Sequence, residues 1–273
     1  MFASPSRHLP LELHRPIVER ISDRADLYTL TLVCRALQFE ADRILFRRIS
    51  VRKSSSETVR RYKALIALAP RIGTHIRELE VVRYGETSSL YAMIRLLRAV
   101  LLSAPNLQRL HAVYKWGDSD WPLEIPGGLM VRGMELNQLQ YFSCPWVIDH
   151  DVISFFERHP NLHDLVVFLP WGEYPISGTA LPRLKYLSAW RNTATRLLPG
   201  RPVTHFQVNV WDRSHWDAEF SAALLSTSVP LRALQVPSFR WGPHLNNLLP
   251  LFSNLHYLGI CQLNGERVSN ISI

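Results

Sequence analysis

The chain has 273 residues, 47% apolar and 20% charged, the balance of a folded globular protein rather than a disordered one. That length can bury a sizeable core and suits one large domain or two smaller ones. Cys34, Cys144 and Cys261 are odd in number, far apart and form no Cys-x-x-Cys pair, a pattern that suggests neither a disulfide framework nor a zinc module. Reduced, mostly buried thiols of a cytoplasmic or nuclear protein are expected instead. The first residues offer no signal-peptide core. The most apolar stretch, Leu90 to Leu102, is too short to span a bilayer and carries Arg95 and Arg98, so no membrane association is expected. The net charge of +8 is uneven: residues 1–83 hold 16 Lys/Arg against 9 Asp/Glu, and the rest is close to neutral. That basic excess suits an encounter with an acidic protein or with nucleic acid.

The first elements are helical. Leu13, Ile17 and Ile21 recur every four residues and make one apolar stripe. Proline is tolerated in the first turn of a helix, so Pro16 places the start of this helix near His14. Asp26 is the expected cap of a second helix, in which Leu27, Leu30, Val33, Cys34 and Leu37 follow at three- and four-residue steps. A third amphipathic segment runs from Ala36 to Arg48, with Phe39, Ile44, Leu45 and Phe46 as its apolar set.

Leu9-Pro10-x-Glu12-Leu13, then Ile17 and Ile21, then Asp26-Leu27-x-x-Leu30-x-Leu32-Val33-Cys34-Arg35 and Leu45-Phe46-Arg47 resemble the F-box, notably that of the large fungal F-box families. The resemblance covers about forty residues in order and spacing. It implies a three-helix unit over residues 1–51 that docks on the Skp-family adaptor of SCF ubiquitin ligases, and through it on a cullin. Carried over position by position, Leu9, Pro10, Leu13, Ile17, Leu30, Val33 and Cys34 would supply the apolar contact.

Ser54-Ser55-Ser56-Glu57 is a helix-start signal, and a linker helix is expected over residues 52–72, ending before Pro70. Beyond it a short motif, apolar-x-x-apolar followed by a β-prone stretch, occurs eight times: Ile76/Leu79, Leu107/Leu110, Leu139/Phe142, Leu162/Leu165, Leu184/Leu187, Val203/Phe206, Leu231/Leu234 and Leu255/Leu258. The second anchors lie 31, 32, 23, 22, 19, 28 and 24 residues apart. Helix-compatible stretches lie between them at Ser88–Ser103, His150–His159, Asp217–Ser226 and His244–Phe252. The expected fold class is therefore α/β. Residues 73–273 are expected to form an irregular leucine-rich-repeat-like solenoid, the alternative being an ordinary α/β domain with coincidental leucine pairs. The two halves together again resemble the fungal F-box proteins. After the eighth motif little sequence remains to cover the last strand's edge.

Six tryptophans, Trp116, Trp146, Trp171, Trp190, Trp211 and Trp241, each trail a second anchor by three to seven residues. Equivalent positions stack along one rim of a solenoid, so these rings are candidates for holding a protein target; the competing reading is that they seal the edges of the core.

No nucleophile elbow, zinc-protease motif, phosphate loop or dinucleotide fingerprint occurs, and no catalytic residue or cofactor is expected. His159 and His163 are four apart, but Pro160 between them breaks the helix that would align them on a metal. Gly127-Gly128 reads as a turn. Arg43, Arg47, Arg48, Arg52, Lys53, Arg60, Arg61 and Lys63 form a basic run, here read as a solvated surface rather than a nucleic-acid site. The expected function is that of a non-catalytic receptor subunit holding an unknown protein substrate. The alternatives are an interaction scaffold with a degenerate F-box and a basic nucleic-acid binder.

Overall fold

The computed structural model of the chain describes residues 10–52, 55–84, 90–115, 126–144, 146–167, 174–208, 217–237, 249–261 and 269–272. The three leading helices are α1 (Leu11–Glu19), α2 (Arg24–Leu30) and α3 (Arg35–Leu45). Their apolar stripes meet in a small core of Val18, Leu27, Ala41 and Leu45, flanked by Ile21, Leu30, Leu37 and Ile44. Two local expectations shift. α1 begins at Leu11, so Pro16 sits at the sixth helical position rather than in the first turn. Its ring removes the N–H that would reach Glu12, and both residues are exposed, which leaves that carbonyl to solvent. Asp23, not Asp26, caps α2, because a cap must precede the first helical residue; its carboxylate accepts from the Ala25 N–H at 2.8 Å.

Arg48 opens a ten-stranded sheet in which sequence order is also spatial order. The strands are β1 (Arg48–Arg52), β2 (Glu78–Tyr84), β3 (Arg109–Lys115), β4 (Tyr141–Cys144), β5 (Asp164–Val167), β6 (Tyr186–Ala189), β7 (His205–Val208), β8 (Ala233–Pro237), β9 (Tyr257–Cys261) and β10 (Ser269–Ser272). The first nine are parallel, and β10 runs antiparallel along β9, pairing the edge that the sequence left open. Between the strands lie α4 (Ser55–Ile72) with a 3-10 turn at Gly73–His75, α5 (Leu90–Leu102), α6 (Gly128–Val131), α7 (His150–Arg158), α8 (Arg191–Leu197), α9 (Ala218–Leu225) and α10 (Leu249–Phe252). The molecule is thus α/β, with a nine-strand parallel sheet and helices.

The register explains the repeated motif. Leu79, Leu110, Phe142, Leu165, Leu187, Phe206, Leu234 and Leu258 pair in one continuous row across β2 to β9. The first anchors, three residues earlier, are all buried. Between the two anchors a backbone carbonyl does a second job. Those of Arg47, Arg77, Gln108, Gln140, His163, Lys185, Thr204 and Arg232 each accept two successive N–H groups from the next turn of chain, at 2.8–3.1 Å. The row of second anchors faces the helices: Phe142 meets Phe155 and Phe156 of α7 at ring distances of 5.3 and 6.0 Å, and Phe206 meets Phe220 of α9 at 5.9 Å.

The same register reveals a ninth copy, Phe46/Ile49, with Ile49 opposite Leu79. Its first anchor, Phe46, lies inside the third segment expected to be helical. The boundary drawn after residue 51 therefore falls within β1. α4 is the crossover between the parallel strands β1 and β2 rather than a linker, and it buries Tyr62 and Ile72 in the main core. α4 also runs through Pro70 to Ile72 instead of stopping at Ala69. α5, α7 and α9 fall where expected. α8 was not anticipated, and Gly128 starts α6 rather than completing a turn. A side chain at Gly127 would collide with Val152 and the Val147 carbonyl. Of the stretch expected helical over 244–252, the first five residues lie outside the described ones.

Two buried polar side chains lock successive turns. The Arg201 guanidinium, 2% exposed, donates to the carbonyls of Ser177 (2.9 Å), Ala180 (3.0 Å), Leu197 (3.2 Å), Pro199 (3.2 Å) and Arg196 (3.3 Å). His159, also 2% exposed, uses Nδ1 toward the Phe155 carbonyl and accepts the Leu136 N–H on Nε2 at 2.9 Å. That pattern assigns the neutral tautomer with the proton on Nδ1. Burial foremost holds its pKa below the ordinary value, and burial does the same for His75 and His111.

Arg201→Met leaves several buried carbonyls without donors and should cost about 3 kcal/mol. That appears in thermal denaturation as a midpoint lowered by roughly 6–10 °C; Arg201→Lys, with fewer donors, should recover only part of it. Because the folded state binds fewer protons at His159 than the unfolded chain, its contribution is complete above about pH 6.5 and is lost as the pH falls below that value. Midpoints measured from about pH 8 down to about pH 5 should fall, and His159→Gln, which keeps one donor and one acceptor but does not titrate, should flatten part of that fall.

Candidate functional site

Two surfaces stand out, one on the helices and one on the sheet. On the helices, burial of the face that carries His14 and Val18 turns Leu13 and Ile17 outward, one turn apart on α1. α2 ends at Leu30, and the turn that follows projects Leu32 and Val33; their N–H groups bond back to Thr29 and Leu30. Leu32 is 86% exposed and Val33 62%, extreme values for aliphatic side chains. Tyr28 and Phe39 are also exposed, Phe39 with its ring edge-on to His75 at 4.9 Å.

Of the residues expected to contact an adaptor, Pro10, Leu13, Ile17, Val33 and Cys34 are exposed here. Leu30 is half-buried against the helical core, and Leu9 lies outside the described residues. Cys34 departs from the expectation of buried thiols: it precedes α3, where the chain is extended and its side chain reaches solvent. Leu32 and Tyr28 were not among the expected contacts. Leu32 falls off the helical stripe, and that mismatch was the available signal.

The helical unit is not the basic part of the chain. Residues 10–46 carry 5 Arg against 6 Asp/Glu, whereas residues 47–83 carry 10 Arg/Lys against 3 acids. The excess seen over residues 1–83 therefore belongs to β1, α4 and β2. Within the helical unit Arg43 bridges Glu19 (2.7 Å) and Glu40 (2.9 Å), and Arg15 also meets Glu19 at 3.0 Å. Hydrogen bonds from Arg43 and then Arg15 hold the Glu19 carboxyl below its usual range. Arg52 clamps Glu80 at 2.7 and 2.8 Å, and Arg71 meets the buried Asp42 at 3.0 Å. Burial pushes the Asp42 carboxyl up, against the pull of Arg71. Of the basic run, Arg43 and Arg52 are thus paired within the chain. Arg47, Arg60 and Lys63 are exposed, and Lys53 lies outside the described residues.

The second surface is the sheet face opposite the helices. Its first row reads Arg48, Glu78, Arg109, Tyr141, Asp164, Tyr186, His205, Ala233 and Tyr257, one residue per strand. The row two residues on includes Glu80, His111, Ser143, Val166, Ser188, Gln207 and Gly259. Arg109 lies 4.5 Å over the Tyr141 ring, and His111 meets the same ring edge-on at 5.7 Å. The Tyr186 hydroxyl donates to Gln207 Oε1 at 2.7 Å. These residues escaped the sequence reading because positions facing away from the core carry no period; only the register brings them together.

Of the six tryptophans expected to line one rim, two lie among the described residues. Trp146 is 6% exposed and belongs to the main core, so its ring is unavailable to a target. Trp190 is half-buried at the N-terminus of α8. Trp116, Trp171, Trp211 and Trp241 lie outside the described residues. Among the described residues no group of three or more His, Cys, Asp or Glu side chains is placed to hold a metal, and His159 is committed to backbone partners. No described helix is long and apolar enough to cross a membrane. A shallow depression at the N-terminal ends of β6 to β9 is lined by Lys185, Arg232 and His256 among others. No protein-family model matches the chain, and no curated protein matches it.

Proposed function

We propose that the chain is the substrate receptor of an SCF-type ubiquitin ligase. In this reading α1–α3 are an F-box that docks on a Skp-family adaptor, and the sheet with its helices is an irregular leucine-rich-repeat-like solenoid that presents a protein target. The observation that carries the proposal is the exposed apolar set Leu13, Ile17, Leu32 and Val33, on segments whose sequence resembles the F-box. An unpartnered small helical unit with aliphatic side chains this exposed is stabilised by a partner that covers them. Such a receptor needs no active site. It works by proximity, holding the target near a ubiquitin-charged enzyme, which raises the effective concentration of the two reacting groups. The sequential ladder of parallel strands supports the solenoid part, since each strand pairs only with its neighbours in sequence.

A second reading, an interaction scaffold with a degenerate F-box, draws on Pro16 inside α1 and on the helical unit's lack of positive charge toward an acidic adaptor. The nucleic-acid reading draws only on residues 47–83 and predicts binding that weakens steeply with salt.

Co-expression with a Skp-family adaptor should yield a co-purifying complex. Leu13→Asp and Val33→Asp should each reduce adaptor retention at least tenfold, with thermal midpoints near that of the parent because both side chains are already exposed. Cys34 should react with a maleimide in the free chain and be protected in the complex. Failure of the parent chain to form a complex removes the ligase reading and leaves the scaffold.

A further inference from the structure

Three tyrosines on the open sheet face share a local device: Tyr141, Tyr186 and Tyr257 each precede a small residue by two positions, namely Ser143, Ser188 and Gly259. Such pairs lie on one face of a strand. Ser143 and Ser188 are buried and lie within hydrogen-bonding reach of the phenols of Tyr141 and Tyr186. A side chain at Gly259 would come within 3.0 Å of the Tyr257 ring. Each ring therefore leans along its own strand and roofs the small residue, making a flat aromatic tile.

β5 interrupts this tiling. Between Tyr141 on β4 and Tyr186 on β6 it presents Asp164 and, two residues on, Val166, both half-buried. Two strand spacings separate the tiles, roughly 10 Å. The result is a groove one strand wide between two tyrosines, with Val166 as its aliphatic floor and the Asp164 carboxylate at one end. The charges around it show what it lacks. On the same face Glu78 pairs with Arg48 at 3.6 Å and Glu80 with Arg52 at 2.7 Å. The Asp164 carboxylate has no ion pair or hydrogen bond among the described residues, although it lies in register between two tyrosines. The Tyr141 ring also carries a guanidinium within the chain, that of Arg109 at 4.5 Å.

We propose that this groove takes one lysine or arginine side chain of an extended peptide. The aliphatic stem would lie on Val166 between the tyrosines, and the cationic head would meet Asp164, combining a charge pair with cation–π contact. This deepens the receptor reading by naming the chemistry of the target, and it rests on that reading only for what happens to the target after capture.

The test is selection of a random heptapeptide display library on the full chain, in complex with the adaptor where that complex forms. Retained peptides should share a Lys or Arg at one position. By fluorescence polarisation a selected peptide should lose at least tenfold in affinity on Asp164→Asn and several-fold on Tyr186→Leu, while Tyr186→Phe keeps the ring and most of the affinity. Asp164→Lys should shift the selected residue to Asp or Glu. A library that yields no retained peptide, a consensus without a basic residue, or an Asp164→Asn variant that binds unchanged overturns the proposal. Lost peptide selection with adaptor capture intact removes this inference alone. Lost adaptor capture with peptide selection intact removes the ligase reading and leaves the groove.

Discussion

The carbonyl between the two anchors of each repeated motif is the contact on which the architecture depends. It accepts two successive N–H groups from the next turn of chain, and this happens eight times from Arg47 to Arg232. A parallel strand cannot satisfy its own backbone, so each copy is completed only when the following one arrives. The ladder fixes the register, and the register places one apolar row, buried from Leu79 to Leu234 and half-buried at Leu258, over the helices. Burying a side chain of this size contributes about 1.5–3 kcal/mol. Because the constraint is confined to a few residues per copy, the chain between copies is free to vary, and intervals from 19 to 32 residues coexist in one sheet.

The same ladder joins the helical unit to the sheet. Phe46 closes the helical core and at the same time serves as the first anchor of β1, so it packs against both hydrophobic clusters. Arg71 reinforces the joint from α4 by reaching the buried Asp42 and lying 5.9 Å from the Phe46 ring. The helices are thereby held at one end of the strand ladder while their outer apolar residues stay uncovered. The sheet supplies a second surface far along the chain, where aromatic and charged side chains alternate across strands. The molecule thus carries two chemically distinct surfaces, one of exposed aliphatic side chains and one of mixed polar and aromatic ones.

Legibility in the sequence followed burial. The anchors were readable because a core tolerates only apolar side chains, and a three-residue offset repeated eight times is hard to produce otherwise. The copy at Phe46/Ile49 is masked in the sequence because Phe46 also satisfies the helical period of the preceding segment, and periodicity cannot arbitrate between overlapping elements. Asp26 and Pro16 misled in a similar way: each is compatible with a helix start, and only the packing of Val18 and Leu27 decides where the helix begins. Trp146 shows a different ambiguity. A large ring after a strand fits either a loop over the core or a binding rim, and for Trp146 the collapse of the chain around Ile148 and Val152 chose the core.

By itself the sequence determined the α/β class, the helical N-terminal unit and the paired anchors of the core, since these depend on side-chain polarity and short-range period. Only the tertiary structure decided what faces outward together. Tyr141, Asp164 and Tyr186 are separated by about twenty residues each and become neighbours through the strand ladder. The placement of the basic excess on β1, α4 and β2 rather than on the helices likewise required knowing where the sheet begins. Surfaces are assembled from distant segments by backbone pairing, and no local pattern encodes that pairing until the register is known.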